Sequence, residues 1–528
     1  MEIKLLDCTL RDGGYVNNWE FGQKPMKEIA QKLFDARIDI VECGLFSINQ
    51  KETQDNTILN SVESINKVIG ENKPENTYVT CLANYGDIDS DQLPEAKGQL
   101  LDGFRIAFHK KDLEGALLLC KRLKEKGYSV YVQPMVTLSY TDEELLYAIK
   151  RSNEIQVDAF AIVDSFGTMQ KQDLLRIYCL VEHNLNSQIP IDFHSHNNLQ
   201  LSFSNAQELL TQNSDRQIII DSSVYGMGRG AGNLCTELLA NYLNTNYYAK
   251  YNILPILEII DDHLNAIFQL TPWGYSVPYY IASINRCHPN YATYLMNRQT
   301  IHVRDIHEIL STLPADKRNT FDSHYIEEKY NQYQQHFVDD KATRLMLTQA
   351  TSNRTILILA PGQTLSTYND KVRAFIEEKN PYIIAVNFMP ENSLSDVIFL
   401  TNIKRIGKIK QFDSINDQHI VVTSNICSEF KTNCFIANYA SYLNSSVYAS
   451  DNAVLMLIML LEKCAVTTIF IAGMDGFYSD SSKNYFDHRI KEKVDIEDIK
   501  FRNDAIKKEI KLMQERLNLT FITPSLFA

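Results

Sequence analysis

Ile3-Lys4-Leu5-Leu6-Asp7-Cys8-Thr9-Leu10-Arg11-Asp12-Gly13-Gly14 begins as an apolar run and ends in two opposite charges and a pair of glycines. Such a run reads as a buried strand that the glycines close with a turn. Seven further runs follow before residue 230, over 38–46, 77–83, 103–109, 128–137, 158–164, 189–196 and 218–225. Between them, stretches such as 27–36, 113–126 and 142–152 carry apolar residues at helical spacing. Strands alternating with helices predict βα units around a parallel sheet.

Eight strands with crossover helices fit a closed (β/α)8 TIM barrel better than an open sheet. In that fold the strand bodies fill the barrel and the C-terminal strand ends face the active site. Arg11 and Asp12 therefore belong on the functional rim. So does Asp192-Phe193-His194-Ser195-His196-Asn197-Asn198, which ends the seventh run. Residues two apart on a strand point to one face, so His194 and His196 can reach one ion. With Asp12 they form a two-histidine, one-carboxylate set suited to Mn²⁺, Mg²⁺, Co²⁺ or Zn²⁺, with positions left open for substrate. An H-x-H pair alone also reads as a satisfied core pair, and Arg-Asp alone as an ion pair. Their joint placement at the ends of the first and seventh strands favours a site.

The chain has 528 residues, more than one barrel needs. The barrel with a helical cap is assigned to 1–313, and the polar, Tyr- and Gln-rich stretch 314–354 to a helical linker. A second α/β pattern then runs over 355–528, with strands expected at 355–359, 382–386, 397–400, 419–423 and 468–472, and reads as a Rossmann-like domain. The formal charge of −13 argues against a nucleic-acid or anionic-membrane surface and for small-molecule chemistry. No apolar run reaches the roughly 20 residues that span a bilayer, and the start lacks a signal-like pattern, so a cytoplasmic protein without membrane insertion is expected. The 10 cysteines form no C-x-x-C pair, and Cys8, Cys43 and Cys81 read as reduced core residues.

Five segments together resemble one family: Thr9-Leu10-Arg11-Asp12-Gly13, Val41-Glu42-Cys43-Gly44, Val163-Asp164-Ser165-Phe166-Gly167, His194-Ser195-His196-Asn197-Asn198 and Gly226-Met227-Gly228-Arg229-Gly230-Ala231-Gly232-Asn233. The chain resembles the DRE-TIM metallolyases, which include 4-hydroxy-2-oxovalerate aldolase, hydroxymethylglutaryl-CoA lyase, isopropylmalate synthase and homocitrate synthase. The resemblance covers about residues 1–300 and implies a divalent metal, Mn²⁺ or Mg²⁺ first, on Asp12, His194 and His196. It implies that Arg11 stabilises an enolate oxygen and that Glu42 holds the polar network. Asn233 matches a position that approaches the metal in the lyase branch, and equally reads as a turn asparagine in a left-handed conformation. The glycines of 226–232 are expected to let backbone approach a ligand rather than to bind a dinucleotide.

One position departs from the pattern. The aldolases carry His and the synthases Gln where this chain has Tyr15. Tyrosine is a weak base at neutral pH, its reference pKa being about 10. Either Tyr15 acts as a hydrogen-bonding acid or another group, such as His109, takes the proton. Gly274-Tyr275-Ser276-Val277-Pro278-Tyr279 resembles a tyrosine-bearing segment over the aldolase site, which makes Tyr279 a catalytic candidate beside its reading as a core aromatic.

The implied activity is a class II pyruvate aldolase acting on a 2-oxo acid and an aldehyde through an enolate held at the metal. A Claisen-type acyl-CoA synthase, or a non-catalytic barrel fused to a transferase-like or scaffold domain, are the alternatives. The C-terminal part resembles the Rossmann-like domains of sialyltransferases through Ala360-Pro361-Gly362, Ala385-Val386-Asn387 and Gly473-Met474-Asp475-Gly476. That likeness implies nucleotide-binding residues Gly362, Asn387 and Asp475 and a theme of surface-glycan or nucleotide-sugar metabolism. Ordinary strand-end turns in an interaction domain are the competing reading. The sequence leaves a homo-oligomer open.

Overall fold

The computed structural model describes residues 2–70, 73–212, 215–298, 300–334, 338–390, 394–403, 405, 419–427, 434–444, 446, 448–480, 484–486 and 496–528. Two compact units divide the chain: Met1–Ala292 with Leu313–Phe321, and Thr293–Thr312 with Asp322–Ala528.

The first unit is a parallel barrel of β1 (Ile3–Asp7), β2 (Ile40–Phe46), β3 (Tyr78–Asn84), β4 (Gly103–Phe108), β5 (Ser129–Pro134), β6 (Ala159–Asp164), β7 (Ile191–Ser195) and β8 (Ile218–Ser222). Each strand pairs with its sequence neighbour, and β1 closes the ring by pairing with both β8 and β2. A two-residue strand, Ile58–Leu59, adds to β2 outside the ring. The eight expected runs are thus the eight barrel strands.

Alternation along the strands sorts the residues into two environments. Phe104 and Ile106 of β4, Ile191 and Phe193 of β7, and Ile218 and Ile220 of β8 join the apolar core that also holds the helix residues. Polar residues of the opposite parity in these strands point into the barrel. They are Arg105 in β4, Asp192 and His194 in β7, and Asp221 in β8, all buried. The outer helices are amphipathic; the one over Asp142–Ile155 starts in a capping box made by Thr141 and Glu144. The segment after β8 is helical, and two of its prolines start helices, at Val277–Ile284 and Pro289–Arg298.

The second unit is an open sheet of seven parallel strands: β9 (Ile356–Leu359), β10 (Tyr382–Val386), β11 (Val397–Leu400), β12 (His419–Thr423), β13 (Cys434–Ala437), β14 (Thr468–Ala472) and β15 (Asn518–Phe521). Their order, β13-β12-β11-β10-β9-β14-β15, reverses direction between β9 and β14, the arrangement of a Rossmann-like sheet. β13 and β15 add to the five strands expected from sequence.

The units part the chain elsewhere than at the expected boundaries of 313 and 355. Residues 314–354 form no separate linker. The helix over Ser323–Tyr333 buries Tyr330, whose hydroxyl is 2.7 Å from that of Tyr439, and the helix over Lys341–Thr351 places Leu347 in the core of the second sheet. A few buried positions among many polar ones set where these helices belong, and average composition hides them. Among the described residues no helix is long and apolar enough to cross a membrane.

One glycine is fixed by close approach. The register of β2 against β3 shifts between Glu42 and Leu45, and a Cβ on Gly44 would lie 2.0 Å from the carbonyl oxygen of Thr57. That carbonyl accepts from Leu45 N at 3.1 Å, while Thr57 Oγ1 donates to the Leu10 carbonyl at 2.6 Å, so the irregularity ties β2 to the loop after β1. Gly44→Ala is expected to destabilise the barrel by about 1–3 kcal/mol, lowering Tm by several degrees. Calorimetry of the full chain measures this, and an unchanged Tm would show that the approach is not a constraint.

Candidate metal and substrate site

The interior charges form one connected network. Arg105 donates from Nη1 to Glu42 at 3.0 Å and from Nη2 to Asp192 at 2.9 Å, and it also bonds Asp221. Gln133 adds a 2.7 Å bond to Asp192. Glu42 then accepts from Arg11 Nε at 2.6 Å, and Arg11 Nη1 reaches Asp12 at 2.5 Å. On the other branch, His194 Nδ1 lies 2.8 Å from Asp221. Arg105, Asp192, Asp221 and Gln133 went unassigned in the sequence reading. Strand parity could have found the first three, since Arg105 and Asp192 each sit between two apolar residues that face the outer core and Asp221 directly follows one, Ile220.

Asp12, His194 and His196 converge at the end of this network, with one ligand atom of each within 4.8 Å of the others and all three buried. His196 Nδ1 is 4.0 Å from Asp12 Oδ2, too far for a hydrogen bond but suited to two ligands of one ion. Asp221 holds the Nδ1 side of His194, an outer contact that fixes the ring and leaves Nε2 for a metal. Asn233 donates to Asp12 at 2.6 Å and to the Met227 carbonyl at 3.1 Å. The left-handed reading of Asn233 does not hold. Gly226, Gly230 and Gly232 take the positive φ values of this turn, at 62°, 71° and 81°, and Asn233 does not.

Three features fit a divalent cation. His196 Nδ1 and Asn233 Oδ1 are buried without a hydrogen-bond partner, and a buried polar atom is normally satisfied. The donor set mixes imidazole and carboxylate. Lastly, Asp12, Glu42, Asp192 and Asp221 outnumber Arg11 and Arg105, so full ionisation leaves an excess equal to the charge of one such ion.

Burial and repulsion by Asp221 push Asp192 up to about 7, and burial raises Asp221. Asp12 behaves differently. Burial opposes its ionisation, but the adjacent Arg11 and the two histidines outweigh that and hold its carboxyl below the usual range. Burial, reinforced by Arg11, brings His194 down to about 4, and burial brings His196 down to about 3. Both imidazoles are therefore neutral near pH 7, the form that ligates.

Beside this set lies a cavity of about 300 Å³ lined by Tyr15, Asn84, His109, Met135, Arg229 and His288, among others. Tyr15 is 40% exposed, packs edge-on against Trp19 with centroids 4.8 Å apart, and has the Arg229 guanidinium carbon 5.6 Å from its ring centre. A Cβ on Gly14 would strike Trp19 at 2.0 Å, which explains the second glycine of the motif. Tyr279 is not among the residues lining the cavity. It is partly buried on the helix over Val277–Ile284, and burial raises its phenol, with Arg229 acting in the opposite sense. Arg229 and His288 received no role from sequence.

In the second unit a cavity of about 170 Å³ opens at the ends of β9, β10 and β14, where Gly362, Asn387 and Asp475 all line it. Their polar atoms are engaged within the fold. Asn387 Oδ1 accepts from Thr401 N at 2.9 Å, and Asp475 accepts from Thr364 N at 2.7 Å. A Cβ on Gly362 would meet the Gly473 carbonyl at 2.3 Å. Arg298, Arg405 and Arg502 line the same cavity. All 10 cysteines are free thiols, and Cys8, Cys43 and Cys81 are buried.

The HMGL-like family model matches residues 2–261. A 4-hydroxy-2-oxovalerate aldolase from Geobacillus genomosp. 3 is 27% identical over 246 residues, covering 46% of this chain and 70% of that protein. An oxaloacetate decarboxylase from Mycobacterium tuberculosis is 27% identical over 239 residues, covering 44% and 68%. The solved HMG-CoA lyase from Brucella melitensis aligns with 51% of this chain and 98% of its own, at 12% identity and a TM-score of 0.41. The motif series at the rim and the family match fall on the same residues, and the barrel of this chain belongs to the HMGL-like family of DRE-TIM metallolyases.

Proposed function

We propose that the barrel is a divalent-metal-dependent carbon–carbon lyase of the pyruvate-aldolase type, acting on a 2-oxo acid and an aldehyde. The observation that carries this reading is the position of Arg11. Its Nε and Nη1 are spent on Glu42 and Asp12, while among the described residues Nη2 has no hydrogen-bond partner. The guanidinium is thus held rigidly beside Asp12, His194 and His196 with one donor left over.

Asp12, His194 and His196, with Asn233 Oδ1 at hand, would hold the ion. A divalent cation there supplies Lewis acidity and a template for the carboxylate and keto oxygens of a 2-oxo acid. Arg11 places positive charge where the keto oxygen gains negative charge, and its two carboxylate contacts fix it before reaction, so little reorganisation is needed. Glu42 and Asp221 orient Arg11 and His194 from behind. For the proton at the acceptor oxygen, His109 lines the cavity, and burial lowers its pKa so that it stays neutral and able to accept. Tyr15, at the mouth, is the hydrogen-bonding alternative.

For the second unit we infer a nucleotide-type ligand in the crevice at the strand-order reversal, where open α/β sheets bind ligands. The support is the set of three arginines in a cavity that also holds Tyr448, Phe477 and Tyr485. Surface-glycan or nucleotide-sugar metabolism is the setting this ligand would give.

Three outcomes test these readings. The purified full chain is expected to retain about one divalent ion, with Mn²⁺ or Mg²⁺ first among the candidates, and Asp12→Asn combined with His196→Ala is expected to remove it. Elemental analysis decides, and unchanged metal content in the double variant would sink the assignment. Arg11→Lys keeps the charge but loses the planar fork that bridges Glu42 and Asp12. It is expected to lower kcat about 10²- to 10³-fold while metal content persists, the usual scale for one lost oxyanion donor. Near-normal turnover in a destabilised Arg11→Lys protein would make Arg11 purely structural. Finally, calorimetric titration with CDP and UDP is expected to show binding that Arg405→Ala weakens at least tenfold. No heat with either nucleotide at millimolar concentration would exclude the nucleotide reading.

A further inference from the structure

Arg229 differs from the fully buried arginines of its unit. Arg11, Arg105 and Arg216 each lie on a carboxylate, the last on Glu182 at 2.7 Å. Arg229 is half-buried, yet among the described residues no carboxylate comes within ion-pair distance of it. It makes a long bond from Nη2 to the Ser165 carbonyl at 3.4 Å and lies over the face of Tyr15. A partly desolvated guanidinium without a counter-charge is costly to keep, and it is a ready partner for an anion that arrives with a ligand.

Its position gives that anion a place in the chemistry. The preceding residue, Gly228, is so close to Asp12 that a Cβ would lie 2.6 Å from Oδ2. After it, the loop is pinned where Ala231 N donates to Asn198 Oδ1 at 3.0 Å. Arg229 is therefore fixed one residue from a contact with a metal-ligand carboxylate, and it faces the cavity it shares with His109 and His288. His288 Nδ1 accepts from Asn290 N at 3.2 Å, which leaves Nε2 to carry the proton of a neutral ring. Burial and the charge of Arg229 hold that ring neutral, its pKa brought down to about 3. Asp112 also lines the cavity, and its charge acts on His109.

We propose that Arg229, assisted by a hydrogen bond from His288, binds the anionic end of the carbonyl acceptor, an aldehyde that carries a carboxylate or a phosphate. This rests on the aldolase reading of the barrel. In the condensing direction, C3 of the 2-oxo acid loses a proton and bonds to the aldehyde carbon. The C=O π pair moves to oxygen, and that oxygen takes up one proton, so no oxidant or further co-reactant is needed. Arg229 fixes the far end of the acceptor while Arg11 and the metal ligands act on the 2-oxo acid.

The test has a binding arm and a turnover arm, both on the full chain with Mn²⁺ supplied. Calorimetric titration with succinate and with inorganic phosphate separates the carboxylate from the phosphate form of the ligand. At least one is expected to bind, and Arg229→Gln is expected to weaken it at least tenfold, with partial rescue in Arg229→Lys. In the turnover arm, pyruvate addition is compared for succinic semialdehyde, glyceraldehyde 3-phosphate and propanal. At least one anionic aldehyde is expected to exceed propanal tenfold or more in kcat/KM, chiefly through KM, and Arg229→Gln is expected to bring that ratio close to one. Binding of both anions unaltered by Arg229→Gln, or an anionic-to-neutral ratio it leaves unchanged, would overturn the proposal. Deuterium exchange into the pyruvate methyl group keeps the two readings apart: a wild type that exchanges but shows no anionic preference refutes the role of Arg229, and one that binds the anions through Arg229 without exchanging refutes the aldolase chemistry.

Discussion

A guanidinium with no exposure to solvent, Arg105, sits inside the barrel between carboxylates from three other strands. Such a cluster is expensive to bury, and its members stay ionised only if each remains in place. Removing one partner of a buried ion network costs about 3–5 kcal/mol because the other charges are left uncompensated. The consequence reaches beyond stability. Glu42 uses its second oxygen on Arg11, and Arg11 in turn holds Asp12. Asp221 holds His194. The orientation of the groups at the rim therefore depends on one charge deep in the barrel, and the site is supported from inside the strands rather than by its loops.

This dependence explains which parts of the site can be read from the sequence. Arg11, Asp12, His194 and His196 stand at strand ends next to glycine or asparagine, where a polar residue in an otherwise apolar strand is conspicuous. Arg105 is embedded in Gly103-Phe104-Arg105-Ile106-Ala107-Phe108, which reads as an apolar strand with one interruption. Its partners Glu42, Asp192 and Asp221 lie 63, 87 and 116 residues away along the chain, so only the closed barrel brings them around it. The division of the chain into its two units is hidden in the sequence for a related reason. Tyr330 and Leu347 are single buried positions within polar helices, and their partners lie far along the chain. The eight strands, by contrast, are continuous apolar runs whose signal is local.

The replacement at Tyr15 separates two tasks that one histidine could combine. Tyr15 stands partly exposed at the mouth, beneath Arg229 and against Trp19, where it shapes the cavity and can donate a hydrogen bond. The neutral imidazoles lie elsewhere on the cavity wall, at His109 after β4 and at His288 before the helix over Pro289–Arg298. The tasks proposed for this cavity are thus spread over different segments of the rim, as the TIM-barrel fold allows, because each loop can change without disturbing the packed interior. On the proposed lyase reading a tyrosine at position 15 is tolerated because His109 and His288 stand on other segments of the cavity wall, while Arg11, the group proposed to stabilise the enolate oxygen, is held by Glu42 and Asp12 whatever occupies that position.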